Sequence, residues 1–103
     1  MKSFRSYQLA LQFYKEAKKE LRLKGTFKDQ FERASLSIVL NLAEGVAKPT
    51  LKDRKKFYFV ALGSLREIQA LLDIISNQEL IQKADCLGAH IYKLCHWKPS
   101  PSL

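Results

Sequence analysis

Leu51–Ile75 reads LKDRKKFYFVALGSLREIQALLDII, and this stretch decides the fold. Tyr58, Ala61, Leu65, Ile68, Leu72 and Ile75 alternate steps of three and four, the seam of a helix packed in a bundle. Phe57, Phe59, Leu62 and Leu71 widen the apolar surface beyond that seam. Pro49 breaks the chain before it, and Thr50 with Asp53 three residues on is a helix-starting cap. A helix with so broad an apolar face must pack against others.

Those others lie on both sides in sequence. A helix from about Phe27 to Ala47 carries one stripe of Phe31, Ala34, Ile38, Leu42 and Gly45, and a second of Leu36, Leu40, Ala43 and Ala47. Between Ala34 and Ala47 its only charge is Glu44, so it is expected to be covered on more than one side. Thr26 and Asp29 suggest a capping box at its start. An earlier helix, about Phe4 to Leu23, aligns Tyr7, Ala10, Phe13, Tyr14, Ala17 and Leu21, and Gly25 is a natural stop. A last helix, about Gln78 to Cys95, begins with a Ser76–Glu79 capping pair and aligns Leu80, Ala84, Leu87, Ile91 and Leu94. No strand-like alternation, repeat or internal boundary occurs. The links are two to four residues long, which makes sequential helices antiparallel neighbours. The expected architecture is an all-α, antiparallel up-down-up-down four-helix bundle over residues 1–97. Residues 98–103, KPSPSL, are expected to be a disordered tail.

With 103 residues, of which 47% are hydrophobic, the chain suits one globular domain. Eighteen Lys and Arg against ten Asp and Glu give +8, an excess that favours a polyanionic partner; solubility is the alternative reason for it. The charge is concentrated in residues 1–28 and 48–56. Cys86 and Cys95 are nine residues apart on one helix, about 13 Å, too far for a disulfide. Reduced thiols fit a cytoplasmic setting. No secretory signal is expected, since Met1–Arg5 leads straight into the amphipathic pattern. The most apolar stretch, Ala34–Ala47, is too short and too polar to span a bilayer.

Two basic clusters are the candidate binding residues. Lys15, Lys18, Lys19 and Arg22 fall within an arc of about 100° on a helix, largely opposite its apolar face, and such a stripe can follow a phosphate backbone. The plain alternative is a solvated outer face. Lys48, Lys52, Arg54, Lys55 and Lys56 surround a helix start, where the macrodipole disfavours cations and free backbone N–H groups suit phosphate. The alternative there is a basic loop compensated in part by Asp53.

Ser37, Asn41 and Glu44, with Arg33 as a possible partner, read as a buried polar network between helices or subunits. Gly63 suggests close helix approach. No serine has a histidine base at a predictable position. Cys86 and His90 share a face but lack further metal ligands. No arginine precedes His90 by fewer than 24 residues, which argues against bundle ribonucleases with an arginine four to six residues before the histidine. No phosphate-gripping glycine loop occurs. No catalytic residue, metal or cofactor is expected.

Ser37-Ile38-Val39-Leu40-Asn41-Leu42-Ala43-Glu44-Gly45 resembles the S-I-x-x-N-I-A-E-G signature of a bacterial four-helix-bundle family. That family includes proteins encoded in intervening sequences of 23S ribosomal RNA genes. Ala61-Leu62-Gly63-Ser64-Leu65-Arg66-Glu67 resembles its second signature, and Phe4-Arg5 and Arg33-Ala34 also fit. The resemblance covers about residues 4–95, with Leu42 where isoleucine is usual. It implies an antiparallel bundle in a ring-like homo-oligomer, typically a pentamer. A similar protein, the accessory protein of diversity-generating retroelements, binds a reverse transcriptase and nucleic acid. The expectation for this chain is a non-enzymatic, oligomeric nucleic-acid-binding protein, with RNA favoured. The alternative is a protein-interaction scaffold, with a reverse transcriptase as partner.

Overall fold

The period of three and four becomes four helices: α1 (Lys2–Glu20), α2 (Gly25–Ala47), α3 (Leu51–Ile75) and α4 (Gln78–His96). The computed structural model describes residues 2–99. Trp97–Pro99 follow α4 without regular structure, and Ser100–Leu103, most of the expected tail, lie outside the described residues.

Each helix packs on two others, α1 and α3 both on α2 and α4, with no close backbone approach across the diagonals among the described residues. Pairings across each seam give the directions. Arg33 meets Glu67, Ser37 meets Ser64 and Gly45 meets Tyr58, so α3 descends as α2 climbs. Gln69 meets Asp85, Leu65 meets Gly88 and Phe59 meets His96. Glu16 meets Lys83, while Ser3 shares a cleft with Leu94 and Trp97. Phe13 packs on Phe31, and Ala17, one turn further along α1, shares a cleft with Lys28 and Phe31 next to the four-residue link. All four seams run antiparallel.

The core holds the stripes read from sequence. Tyr58, Ala61, Leu65, Ile68 and Leu72 of α3 are buried, as are Leu80, Ala84, Leu87, Ile91 and Leu94 of α4. α1 contributes Ala10, Phe13 and Ala17, and α2 contributes Phe31, Ala34, Ile38 and Leu42. Truncating a central residue such as Leu65 to alanine costs about 2–5 kcal/mol in cores of this kind. The second α2 stripe is different. Leu36, Leu40, Ala43 and Ala47 are not in the core, and Leu36 and Leu40 are exposed, because α2 has only two neighbours and both lie on its other sides.

The helix ends depart from the sequence reading in three places. α1 stops at Glu20 rather than Leu23. The link 21–24 alternates half-buried Leu21 and Leu23 with exposed Arg22 and Lys24, so both leucines cover the core while the chain reverses. Gly25 is therefore not the stop of α1 but the first residue of α2, at φ +61°, and no side chain caps that start, Thr26 included. At α4 the cap is Asn77, whose side chain accepts from the Leu80 N–H at 3.0 Å. Ser76 instead closes α3 in the left-handed region, donating its N–H to the Leu72 carbonyl at 2.8 Å. The Thr50 cap of α3 forms as read, accepting from the Asp53 N–H at 3.2 Å.

The close approaches are at other glycines than Gly63. A Cβ on Gly63 would meet nothing, whereas one on Gly45 would lie 2.5 Å from Tyr58 Cε1 and 3.3 Å from the Arg54 carbonyl. One on Gly88 would lie 2.8 Å from a Leu65 methyl. Gly45→Ala should therefore destabilise the bundle by about 1–3 kcal/mol, the range for overpacking, because the buried Tyr58 ring and a backbone carbonyl must both shift. Gly88→Ala should cost less, since only a methyl must move; paired urea melts measure both.

Both cysteines are free, Cys86 exposed and Cys95 buried. Burial pushes the Cys95 thiol up to about 11, against a smaller opposite pull from Lys55. At pH 8 the native protein should expose one rapidly alkylated thiol, Cys86, with Cys95 reacting only after unfolding. Mass spectrometry after a short iodoacetamide pulse distinguishes the two sites.

Candidate nucleic-acid interface

The antiparallel order sends the two basic clusters to opposite ends of the bundle. Lys18, Lys19 and Arg22 sit where α1 ends, α2 begins, α3 ends and α4 begins. Lys48, Lys52, Arg54, Lys55 and Lys56 sit where α2 ends, α3 begins and α4 ends. The length of α3 separates these ends by about 37 Å at 1.5 Å per residue.

The first cluster is not one helical stripe. Lys15, Lys18 and Lys19 lie on α1, but Arg22 lies on the link. Lys18 and Arg22 join Lys24 and Lys28, which the sequence reading did not single out, around an open cleft of about 490 Å³ that also holds Glu32. The Lys18 ammonium lies 5.8 Å from the Tyr14 ring centre, a cation–π contact. Carboxylates converge on this end as well: Glu20 ends α1, Asp29 and Glu32 lie in the first turns of α2, Asp73 lies in the last turn of α3 and Glu79 begins α4. The local field is therefore mixed.

The second end is far more positive. Besides its five clustered cations it receives Arg5 from α1, Lys93 from α4 and Lys98 beyond α4. Its carboxylates are Glu44, 3.5 Å from Lys48, and Asp53, 3.6 Å from Lys56. Both pairs are exposed, where such contacts contribute about 0–1 kcal/mol. Lys52, Lys55 and Lys93 enter no ion pair among the described residues. Arg54 is held in place by donating Nε–H to the Lys48 carbonyl at 2.6 Å. It lines a cleft of about 300 Å³ with Lys93, Leu51, Tyr58 and Trp97.

The backbone field here is mixed, not uniformly unfavourable to cations as the α3 start alone suggested. The C-termini of α2 and α4 reach the same end, and their negative dipole ends favour Lys48, Lys93 and Lys98. Arg5 and Lys93 were missed because each stands alone in sequence; only the antiparallel pairing brings them beside the Lys48–Lys56 run.

The expected polar network divides. Ser37 Oγ and Ser64 Oγ are 2.8 Å apart across the α2–α3 seam, and Asn41 Nδ2–H donates to the Ser37 carbonyl at 2.8 Å and to its hydroxyl at 3.1 Å. Arg33 does not reach Glu44. It donates to Glu67 of α3 and, at 2.8 Å, to Gln30. Glu44 is exposed, because it points away from the seam. A separate triad ties α4 to α1: Lys83 donates to Glu16 at 2.6 Å and to Glu79 at 3.1 Å. Those bonds raise the Lys83 pKa, and the Lys83 bond in turn lowers that of Glu16.

No group of three His, Cys, Asp or Glu suited to a metal occurs among the described residues. His90 and His96 lie on α4, diagonal to α2 and its serines. His96 donates Nδ1–H to the Tyr92 carbonyl at 2.9 Å. No described helix is long and apolar enough to cross a membrane.

No curated protein and no solved structure is detectably similar to this chain. A family model, that of the 23S rRNA-intervening sequence protein, matches residues 3–96. The match takes in all four helices, both glycine-mediated seams and the Ser37–Asn41–Ser64 contact, and the chain belongs to the 23S rRNA-intervening sequence protein family.

Proposed function

We propose that this protein is a non-enzymatic, oligomeric nucleic-acid-binding protein, with RNA the favoured ligand, and that it holds phosphates at the end of the bundle around Lys48–Lys56. One observation carries the reading: among the described residues eight cations share that end with two carboxylates, and both carboxylates are beside lysines. Lysines and arginines spread over an end surface neutralise a phosphate backbone without reading bases. The family's name, which refers to an intervening sequence of ribosomal RNA, is compatible with an RNA ligand. Against catalysis stands the bonding of the Ser37 and Ser64 hydroxyls to each other and to Asn41 rather than to a histidine.

The oligomer is supported by the uncovered apolar stripe. Leu36 and Leu40 are 41% and 55% exposed, and Val60, one turn from Ser64 on α3, is 53% exposed. An apolar strip of this kind on the α2–α3 pair suits a second copy of the chain. The family resemblance implies a ring of five, which would multiply the basic ends.

Replacing Lys52, Lys55, Lys56 and Lys93 together by glutamine should weaken RNA binding and lower the slope of log affinity against log salt by about 3 to 4, near 0.7 on a single strand or 0.9 on a duplex for each of the four phosphates no longer neutralised. The same change at Lys18, Lys19 and Arg22 should do less, because carboxylates already offset that end; anisotropy across a salt series compares the two sets, and equal slopes for all variants would overturn the assignment. Leu40→Glu should reduce the particle mass in light scattering to that of one 11.9 kDa chain without unfolding it, and an unchanged monomeric mass before and after would remove the oligomer.

A further inference from the structure

An aromatic group stands on the surface beside the basic end, where phosphate binding has no use for it. Phe59 of α3 and Tyr92 of α4 are each 49% exposed. His96 lies between them, its ring stacked on Tyr92 at 4.0 Å and 26° and meeting Phe59 edge-on at 5.7 Å. The His96 Nδ1–H bond to the Tyr92 carbonyl holds that stack in place. None of the three rings belongs to the buried core, so core packing does not account for them.

Cations flank the rings. Lys93 is next to Tyr92 in sequence on α4, and Lys55 and Lys56 lie one turn before Phe59 on α3. From Tyr92 and Lys93 an open groove of about 400 Å³ continues along the α3–α4 seam past Ala89 and Gly88 to Arg66. Arg66 is oriented by donating to Gln69 Oε1 at 2.8 Å. The one carboxylate on the groove, Asp85, accepts from Gln69 Nε2 at 2.9 Å. Gly88 leaves the groove floor bare, since a Cβ there would already press on Leu65. Tyr92 and Asp85 are two helical turns apart, about 10 Å, a span suited to one or two nucleotides.

We infer that the α3–α4 seam at the basic end is a stacking platform for unpaired bases, so that the ligand is single-stranded nucleic acid rather than a duplex. This rests on the nucleic-acid-binding reading and adds the form of the ligand to it. Unstacked bases present π-faces that aromatic rings can take up, while duplex bases keep theirs inside the stack. Cations around the rings would hold the phosphates on either side. A duplex would meet only the cations.

The test uses fluorescence anisotropy with three labelled probes: an oligouridylate dodecamer, an abasic strand with the same number of phosphates, and an RNA duplex. The unmodified protein should bind the oligouridylate about 5- to 150-fold more tightly than the abasic strand, the range for stacking one base. Tyr92→Ala and Phe59→Leu should each remove most of that preference and leave duplex affinity and its salt slope unchanged. Tyr92→Phe, which keeps the ring, should retain it. Equal binding of the oligouridylate and the abasic strand by the unmodified protein, with steep salt dependence, would overturn the platform and leave phosphate binding standing. Binding of none of the probes at low salt would overturn both.

Discussion

The α2–α3 seam is the constraint on which the other arrangements depend. At Gly45 there is no room for even one carbon against the Tyr58 ring, so the two helices approach closely only where that glycine faces that ring. Two turns away, Ser37 and Ser64 satisfy each other's hydroxyls at 2.8 Å, and Arg33 reaches Glu67 beyond them. A slip of one turn would drive the ring into a side chain and separate the hydroxyls. Partly buried polar groups left without partners are costly, so steric fit and hydrogen bonding select the same register. With that register set, the short links carry α1 and α4 into the remaining seams.

The same geometry shapes the electrostatics. An antiparallel bundle brings two helix N-termini and two C-termini to each end, so neither end carries a net dipole field of one sign. What distinguishes the ends is the side chains delivered there. One end receives Glu20, Asp29, Glu32, Asp73 and Glu79 among its lysines, and the other receives Arg5, Lys93 and Lys98 with no further acid. A net charge of +8 thus becomes a strongly polarised rod, 53 Å in its longest dimension. Such a field steers polyanions toward one face.

Apolar surface is distributed as unevenly as charge. The inner stripes of all four helices are consumed by the core, while Leu36, Leu40 and Val60 remain outside it. Phe59, Tyr92 and Trp97 are exposed as well, but near the cations of the basic end. These two groups, to which Phe4 and Ile74 do not belong, differ in company: one is aliphatic and lies along the middle of the α2–α3 pair, the other is aromatic and lies among lysines. Aliphatic strips fit another protein surface, and aromatic rings among cations fit bases and phosphates.

Periodicity alone determined the helices and their buried faces. Tyr58, Ala61, Leu65, Ile68 and Leu72 are legible because a helix repeats every 3.6 residues and the core admits only one side of it. Short links made the bundle antiparallel for the same local reason. The S-I-x-x-N and A-E-G runs were legible too, as the family they resemble. Caps were less legible: Asn77 displaced Ser76, and Leu21 and Leu23 pulled the α1 end out of helix, because burial of two leucines outweighs a weak terminal preference. Which glycine makes a close approach, which lysines gather into one field and which aromatics reach the surface were decided only by the tertiary structure. Each depends on which residue lies opposite across a seam, and sequence records neighbours along the chain rather than across it.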